Sequence, residues 1–183
     1  DEFSNRLAEK SSQLKVADGR TEGAQIGPLI TPQAFKKVEE HVGDAVEKGA
    51  KILTGGTNDN SGVQFYKPTV LTDINNNMKI YYEETFGPVA PIIKFKDENE
   101  VIEMANDTKY GLAGYFYSRD IGKIWRVAEA LEYGMVGINA GVISTEVAPF
   151  GGIKESGIGR EGAEEGIEEY LEIKYLCFDG VEK

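Results

Sequence analysis

The chain of 183 residues has little of the chemistry that builds metal centres and disulfide scaffolds. It contains one cysteine, Cys177, and one histidine, His41. A single cysteine excludes an intramolecular disulfide and favours a reducing compartment. A single histidine cannot form a zinc cluster of the usual kind, so we predict no metal site. The pattern predicts His41 on a helix surface and Cys177 as a packed thiol in an apolar strand.

Basic residues are scarce relative to acidic ones, 20 against 31, and the formal net charge is -11. Such a field repels phosphate, so we expect neither nucleic-acid nor membrane partners. No apolar run is long enough to span a bilayer, and the N-terminus has no signal-peptide features, so it resembles the middle of a longer chain. Hydrophobic residues at 40% and charged residues at 28% are typical of a globular fold.

Apolar periodicity predicts alternating helices and strands. The helices are predicted at residues 3–14, between Thr31 and Gly49, at 98–106, at 121–131 after the cap Asp120, and near 160–166. The strands are predicted at residues 51–54, 65–74, 90–95, 112–117, 135–138 and 170–178. Such alternation indicates an α/β fold with a mainly parallel sheet and helices on both faces. Sites in such folds lie beyond the carboxyl ends of strands.

Residues 83–89, here called the acidic loop, form the first candidate site. They combine two adjacent carboxylates, an aromatic ring and a Gly-Pro turn just before a strand. A carboxylate there can accept hydrogen bonds from ribose hydroxyls, and the ring can pack on a cofactor ring. The alternative is a solvated acidic turn with Phe86 in the core.

Residues 139–159, here called the long loop, form the second candidate site. A loop of this length is uncommon in a compact domain unless it is functional or packed against another surface, such as a domain interface. Its end begins a G-x-G-x-x-G pattern at residues 157–162, but no strand precedes the pattern, so we predict no phosphate site there. Trp125 is predicted to lie in the core or an interface.

Both loops resemble motifs of the aldehyde dehydrogenase superfamily. ETFGP at residues 84–88 resembles its E-x-F-G-P motif, and PFGGIKESGIGRE at residues 149–161 resembles P-F-G-G-x-K-x-S-G-x-G-R-E. GPLI at 27–30 and YGLA at 110–113 match family segments in the same order. Segments 112–118, 124–129, 141–144 and 169–175 resemble the succinate-semialdehyde branch in particular.

The resemblance implies an aldehyde-dehydrogenase-like three-layer α/β/α sheet, mainly parallel, with a C-terminal oligomerisation strand. Residues 1–168 would be part of the catalytic, thiol-bearing domain, and residues 169–183 an arm that joins a neighbouring subunit's sheet. The implied assembly is a homo-oligomer, a dimer or tetramer. The implied compartment is the cytoplasm or the mitochondrial matrix.

The resemblance also implies NAD- or NADP-dependent oxidation of succinate semialdehyde to succinate, a step of GABA catabolism. Glu84 would hold the nicotinamide ribose, with Phe86 packed near the nicotinamide. Phe150 would line the aldehyde pocket, and Ser144 would help bind the distal carboxylate. The family's nucleophilic cysteine and general base lie upstream of this sequence, and Cys177 does not match the nucleophile, so the chain alone is predicted to be inactive.

Two alternatives stay open on the sequence. The chain could be a non-catalytic module that self-associates through its last strand. It could also belong to a dehydrogenase for another ω-carboxylated aldehyde, such as glutarate semialdehyde, because the segment at residues 141–144 favours an acidic aldehyde without fixing its length.

Overall fold

The computed structural model describes residues 1–180, which divide into two compact units, Asp1–Lys94 and the described residues from Phe95 onward. The last three residues of the predicted arm, 181–183, lie outside the described residues. The predicted domain boundary between residues 168 and 169 is a different division from the one at 94 and 95, and it stays a prediction.

The first unit contains three helices and three strands. They are α1 (Glu2–Ser12), α2 (Pro32–Glu47), β1 (Lys51–Thr54), β2 (Thr69–Thr72), α3 (Lys79–Tyr82) and β3 (Val89–Pro91). The start of α2 follows the prediction: the Thr31 side chain accepts a hydrogen bond of 3.1 Å from the amide of Ala34. Pro32 occupies the first turn, where a missing amide hydrogen costs nothing.

The sheet of the first unit has the order β1-β2-β3. Strands β2 and β3 are parallel, with Thr69 opposite Val89, as predicted. Strands β1 and β2 are antiparallel, with a register shift between Ile52 and Thr54, and are the one antiparallel pair among the described strands of a sheet predicted to be mainly parallel. The connection from β1 to β2 contains no helix, and without a crossover the chain returns in the opposite direction.

A hydrophobic core lies between α2, the sheet and the segment around α3. Its fully buried side chains include Leu71 on β2, Met78 before α3 and Val38 on α2. Burial of each such side chain stabilises the fold by about 1.5–3 kcal/mol relative to exposure. The core therefore fixes one face of α2 against the chain that enters the acidic loop.

As far as residue 180, the second unit contains three helices, two strands and one 3-10 turn. They are α4 (Glu98–Asn106), β4 (Ala113–Phe116), α5 (Ile121–Ala130), β5 (Met135–Ile138), the 3-10 turn (Lys154–Ser156) and α6 (Glu165–Glu168). Asp120 caps α5 as predicted, accepting 3.0 Å from the amide of Lys123. Strands β4 and β5 are parallel, joined through α5. The α/β class is thus confirmed in both units.

The second unit buries far less apolar surface than the first. Val127 on α5 is its one buried large apolar side chain within the described residues. Trp125, on the same helix, is 63% exposed, so it does not lie in the core, and its predicted alternative place in an interface stays a prediction. Helices α4 and α5 are instead linked at the surface, where Arg126 donates to Glu98 at 2.9 and 3.2 Å.

The chain after α6 forms no strand as far as residue 180. The large apolar side chains of this segment are exposed, among them Tyr170, Ile173 and Phe178. Cys177 is also exposed, so the prediction of a packed thiol was wrong. An edge strand needs a neighbour for its backbone hydrogen bonds, and residues 1–180 offer it none.

The described helices and side chains give two further results. Within residues 1–180, no helix is long and apolar enough to cross a membrane. In the same part of the chain, no three His, Cys, Asp or Glu side chains are grouped to hold a metal ion.

Candidate cofactor-binding loop and aldehyde pocket

The acidic loop is bound to helix α2 through a buried histidine. His41 is 1% exposed, and its Nδ1 atom lies 3.0 Å from the Thr85 hydroxyl. Its Nε2 atom lies 3.3 Å from a carboxylate oxygen of Glu83. The predicted helix-surface role of His41 was therefore wrong. The residue lies on the buried face of α2 because distant side chains satisfy both of its ring nitrogens.

Further contacts fix the two ends of the acidic loop. At its entrance, the amide of Lys79 donates 2.8 Å to Asp44 of α2, and the Lys79 ammonium pairs with Glu40, which raises the pKa of Lys79. At its exit, the carbonyl of Pro88 accepts 2.8 Å from the amide of Thr69 on β2. These contacts tie the loop to both α2 and the sheet.

Gly87 brings the loop backbone against α2. A Cβ atom at this position would lie under 3.0 Å from a methyl group of Val38, which is fully buried. Val38 and His41 are one helical turn apart, so they form neighbouring contact points on the same face. The side chain of Thr85 and the backbone at Gly87 are therefore both fixed on α2.

The side chains of Glu84 and Phe86 project away from these anchors. Glu84 is exposed and Phe86 is 78% exposed, so the alternative of a core phenylalanine was wrong. Phe86 has a φ of 54°, in the left-handed region that bulky residues rarely adopt. Residues held there cost about 1–3 kcal/mol each and persist when surrounding contacts over-determine them.

The exposed pair has the chemistry that a nicotinamide nucleotide needs. A carboxylate is an acceptor for two neighbouring ribose hydroxyls, and no side chain within residues 1–180 pairs with that of Glu84. An exposed ring two residues further along offers a flat apolar face. The Glu84 carboxylate and the Phe86 ring are therefore chemically suited to contact a nucleotide.

The second predicted pair lines one cavity. Ser144 and Phe150 border a cavity of about 300 Å³ above the β4–β5 pair. The lining residues are Leu112, Ala113, Tyr115, Met135, Gly141, Val142, Ile143, Ser144 and Phe150. The walls are mostly apolar, and hydroxyls come from two side chains, Ser144 and Tyr115. This composition suits a short ligand with an apolar chain and a polar end.

Tyr115 was missed as a site residue by sequence reasoning. It lies on β4 opposite Gly137 of β5, where a Cβ atom would come within 2.5 Å of the tyrosine ring. The absence of a side chain at Gly137 lets the ring of Tyr115 lie across β5. The alternation within β4 could have placed Tyr115 on the face of Ala113, but nothing in the sequence alone points to Gly137 as its partner.

Backbone hydrogen bonds and one asparagine side chain hold the long loop at several points. The Asn139 side chain bonds the backbone of Ser118 in both directions, at 2.9 and 2.8 Å. Phe150 and Glu161 exchange a pair of backbone hydrogen bonds of 2.7 and 2.8 Å. The amide of Ile153 donates 3.0 Å to the carbonyl of Gly111. These bonds fix Phe150 at the edge of the cavity.

Three polar side chains of the recognised motif also hold the long loop in place. Lys154 donates to the carbonyls of Asn106 and Thr108 and pairs with Glu132. The Ser156 hydroxyl accepts 3.0 Å from the amide of Gly111. Arg160 donates to two carbonyls, at 2.9 and 2.8 Å. The motif is therefore largely a structural element around Phe150.

The glycine pattern at residues 157–162 lies outside a phosphate-binding context. It follows the 3-10 turn of Lys154–Ser156, and no strand precedes it. It opens no long helix, since α6 has four residues. The strand-turn-helix context that a dinucleotide fingerprint requires is therefore not formed by the described residues around this pattern.

Comparison with known proteins identifies the family. A family profile described as "Aldehyde dehydrogenase family" matches residues 1–176. The chain is 57% identical over 177 residues to the NADP(+) succinate-semialdehyde dehydrogenase GabD of Escherichia coli (strain K12), covering 97% of this chain and 37% of that protein. It is 56% identical over 181 residues to glutarate-semialdehyde dehydrogenase of Pseudomonas aeruginosa, covering 99% and 38%.

The structural comparison gives the same result. A crystal structure of succinate-semialdehyde dehydrogenase from Burkholderia pseudomallei superimposes with a TM-score of 0.95 and 57% identity, covering 97% of this chain and 37% of that one. The chain therefore spans less than two fifths of the length of each of these relatives.

Proposed function

The chain belongs to the aldehyde dehydrogenase family, and we propose that it supplies cofactor and substrate contacts to an enzyme that oxidises an ω-carboxylated aldehyde, succinate semialdehyde in the first place. The observation that carries this proposal is the cavity that Ser144 and Phe150 share. The names of the two relatives, a succinate- and a glutarate-semialdehyde dehydrogenase, support the same substrate class.

The cavity suits a short dicarboxylic semialdehyde. Its apolar walls, including Phe150 and Ile143, would pack on the methylene groups of the substrate. The hydroxyls of Ser144 and Tyr115 can donate hydrogen bonds to the distal carboxylate, and hydrogen bonds to charged groups contribute about 1.5–3 kcal/mol. A simple aliphatic aldehyde would gain the apolar contacts alone.

The cofactor proposed is NAD or NADP, which accepts a hydride from the substrate when bound. Glu84 would accept hydrogen bonds from the nicotinamide ribose, and Phe86 would pack against the nicotinamide side of the nucleotide. Both nucleotides contain this ribose, so the proposal covers either one. The nucleophilic cysteine is expected from the part of the full-length enzyme outside this chain, because Cys177 lies in the exposed C-terminal segment.

Glutarate semialdehyde is the second candidate substrate. The relative named for it is 56% identical to this chain, against 57% for the relative named for succinate semialdehyde. The two substrates differ by one methylene group, which changes binding in an apolar pocket by about 1–3 kcal/mol. The ratio of kcat/KM for the two aldehydes therefore decides between them.

We also propose that residues 169–183 are an arm that joins a second copy of the chain, within a homo-oligomer. The exposed apolar side chains between Tyr170 and Phe178 support this, since a strand partner from another subunit would cover them. The proposed compartment is the cytoplasm or the mitochondrial matrix, to which a chain with one exposed cysteine is suited.

The test is steady-state kinetics of the full-length enzyme that contains this chain, with NAD and NADP in turn. Succinate semialdehyde, glutarate semialdehyde and acetaldehyde are compared in the unchanged protein and in Ser144→Ala. We expect the substitution to raise KM for the carboxylated aldehydes about tenfold and to leave acetaldehyde nearly unchanged, because one hydrogen bond to a carboxylate is lost.

Thr145→Ala is the matched control, because Thr145 carries the next hydroxyl along the chain but does not line the cavity. An equal loss for all three aldehydes in Ser144→Ala would rule out the carboxylate contact. Absence of oxidation of any aldehyde would favour the non-catalytic, self-associating module instead.

A further inference from the structure

We propose that His41 is a positioning residue that holds the acidic loop in the shape that presents Glu84 and Phe86 to the nucleotide. The inference rests on the proposed cofactor role of those two residues. His41 would act through Thr85 and Glu83 and would touch neither substrate nor cofactor.

The burial of His41 is unusual for a polar side chain and needs a physical explanation. Its side chain is 1% exposed, on the helix face that also carries the buried Val38. A histidine at such a position costs desolvation that an apolar side chain would not, unless its ring nitrogens are satisfied. Both nitrogens are satisfied, and both by the acidic loop, at 3.0 Å to Thr85 and 3.3 Å to Glu83.

Anchored and exposed residues alternate along the acidic loop, and this order explains how contacts to α2 would position Glu84 and Phe86. Glu83 and Thr85 contact His41, and the backbone at Gly87 packs on Val38. Glu84 and Phe86 lie between these three anchored positions and are exposed. Thr85 separates the two proposed cofactor contacts, so its bond to His41 controls the direction of both.

The strained backbone of Phe86 gives a second reason for an anchor. Its φ of 54° is unfavourable for a phenylalanine, and the loop would relax toward a commoner conformation if its neighbours were released. A relaxed loop would turn the Phe86 ring away from its present direction. The Thr85 bond holds the residue immediately before the strained one.

The imidazole can make both contacts in either protonation state. In the neutral ring with the proton on Nε2, that nitrogen donates to Glu83 while Nδ1 accepts from the Thr85 hydroxyl. In the imidazolium ion, both nitrogens donate. The two contacts can be separated by substitution. An asparagine amide at position 41 can take the place of Nδ1 and keep the Thr85 contact, and a glutamine amide can take the place of Nε2 and keep the Glu83 contact.

The experiment measures the dissociation constant of NAD(P) and the kinetics of the full-length enzyme with five variants. In His41→Leu and Thr85→Val, which remove the link to the loop, we expect cofactor Kd and cofactor KM to rise about tenfold, because the competent loop conformation becomes less populated. Thr85→Ser and His41→Asn keep the link and should restore affinity to within about threefold. His41→Gln, which keeps the Glu83 contact, should restore less.

A double-mutant cycle tests that the effect passes through this pair. His41→Leu combined with Thr85→Val should be no weaker in cofactor binding than His41→Leu alone, because Thr85→Val removes a bond that His41→Leu has already removed. Additive losses would overturn the proposal, as would equal defects in His41→Asn and His41→Leu.

Val42→Ala controls for a purely structural effect. Val42 is buried next to His41 in the core of the same helix, so its truncation lowers the melting temperature. We expect its cofactor Kd to be unchanged. If Kd rose in proportion to the loss of melting temperature across all variants, His41 would be a packing residue and not a positioning residue.

Glu84→Gln and Phe86→Ala separate this inference from the proposed function on which it rests. If both weaken cofactor binding and His41→Leu does not, the loop binds the nucleotide and His41 does not position it. If neither weakens binding, the proposed cofactor role of the acidic loop fails by itself.

Discussion

The acidic loop and the long loop are held in place by different means. The acidic loop depends on side chains of one helix, with His41 and Val38 of α2 as its supports. The long loop depends on hydrogen bonds to main-chain atoms, from its own backbone and from polar side chains of its motif, and on closely packed glycines. The conformation of the acidic loop can therefore be altered by substituting one side chain on α2. The conformation of the long loop is sensitive mainly to volume added at its packed glycines.

The surroundings of the two loops explain the difference. The acidic loop begins beside a hydrophobic core, so a buried face of α2 is available to support it. The second unit has one large apolar side chain buried within the described residues, Val127, and so offers no comparable support. Main-chain contacts between glycines replace side-chain packing there.

We expect the largest effect from Gly134→Ala, which adds volume where the long loop packs on the residue directly before β5. A Cβ atom there would overlap the Gly151 carbonyl oxygen and lie 2.8 Å from the Cα of Gly152. Backbone atoms cannot yield as a side-chain tip can, so we expect a loss of about 3 kcal/mol in unfolding free energy. Denaturant unfolding measures the loss, and hydrogen exchange should locate it in residues 111–113 and 150–153.

The control is Gly141→Ala, within the long loop itself. The nearest atom to a Cβ there is the Tyr117 hydroxyl at 3.9 Å, an ordinary contact. A change within about 0.5 kcal/mol is expected. If the two alanine variants were equally stable, close glycine packing would not be what holds the long loop.

A smaller effect is expected from Gly87→Ala in the acidic loop. The added methyl would meet the buried Val38 side chain, which can shift slightly, so we expect a loss of about 2 kcal/mol. Hydrogen exchange should increase in residues 83–91 and leave the second unit unchanged. Cofactor affinity should also fall in Gly87→Ala, because the displaced backbone carries Phe86.

Two variants check that Val38 is the cause. Gly27→Ala adds a methyl where no atom lies within 4 Å, and should be nearly neutral. Val38→Ala made together with Gly87→Ala frees the space and should return cofactor affinity toward that of the unchanged protein. Failure of the double variant to recover would show that the loop does not rest on this helix face.

Local features of both units were predictable from the sequence because their causes lie within a few residues. Thr31 and Asp120 cap α2 and α5 as predicted, since each bonds an amide three residues later. The α/β class followed from apolar periodicity, and the two candidate loops followed from their motifs. The pairing of Ser144 with Phe150 in one cavity was an expectation of the resemblance, and their proposed roles remain to be tested.

The features that sequence reasoning missed depend on partners far along the chain. The contacts of His41 are 42 and 44 residues away, so a lone polar residue on an amphipathic helix gave no sign of burial. The exposure of Cys177 has a similar origin, because its segment alternates like a strand but has no neighbour within residues 1–180. Tyr115 lines the cavity only because Gly137 of the next strand has no side chain.

The smallest effect is expected from Lys154→Met, which tests whether a motif side chain also holds the long loop. The Lys154 side chain is 24% exposed, and its ammonium group bonds the carbonyls of Asn106 and Thr108, so its removal leaves two acceptors partly unsatisfied. We expect a loss of about 1–2 kcal/mol in unfolding free energy. Lys109→Met is the control, because Lys109 forms an exposed pair with Glu155, a type worth about 0–1 kcal/mol. Equal losses for the two lysines would mean that Lys154 does not anchor the long loop. A larger loss at Lys154 would mean that the motif lysine adds a side-chain anchor like that of the acidic loop.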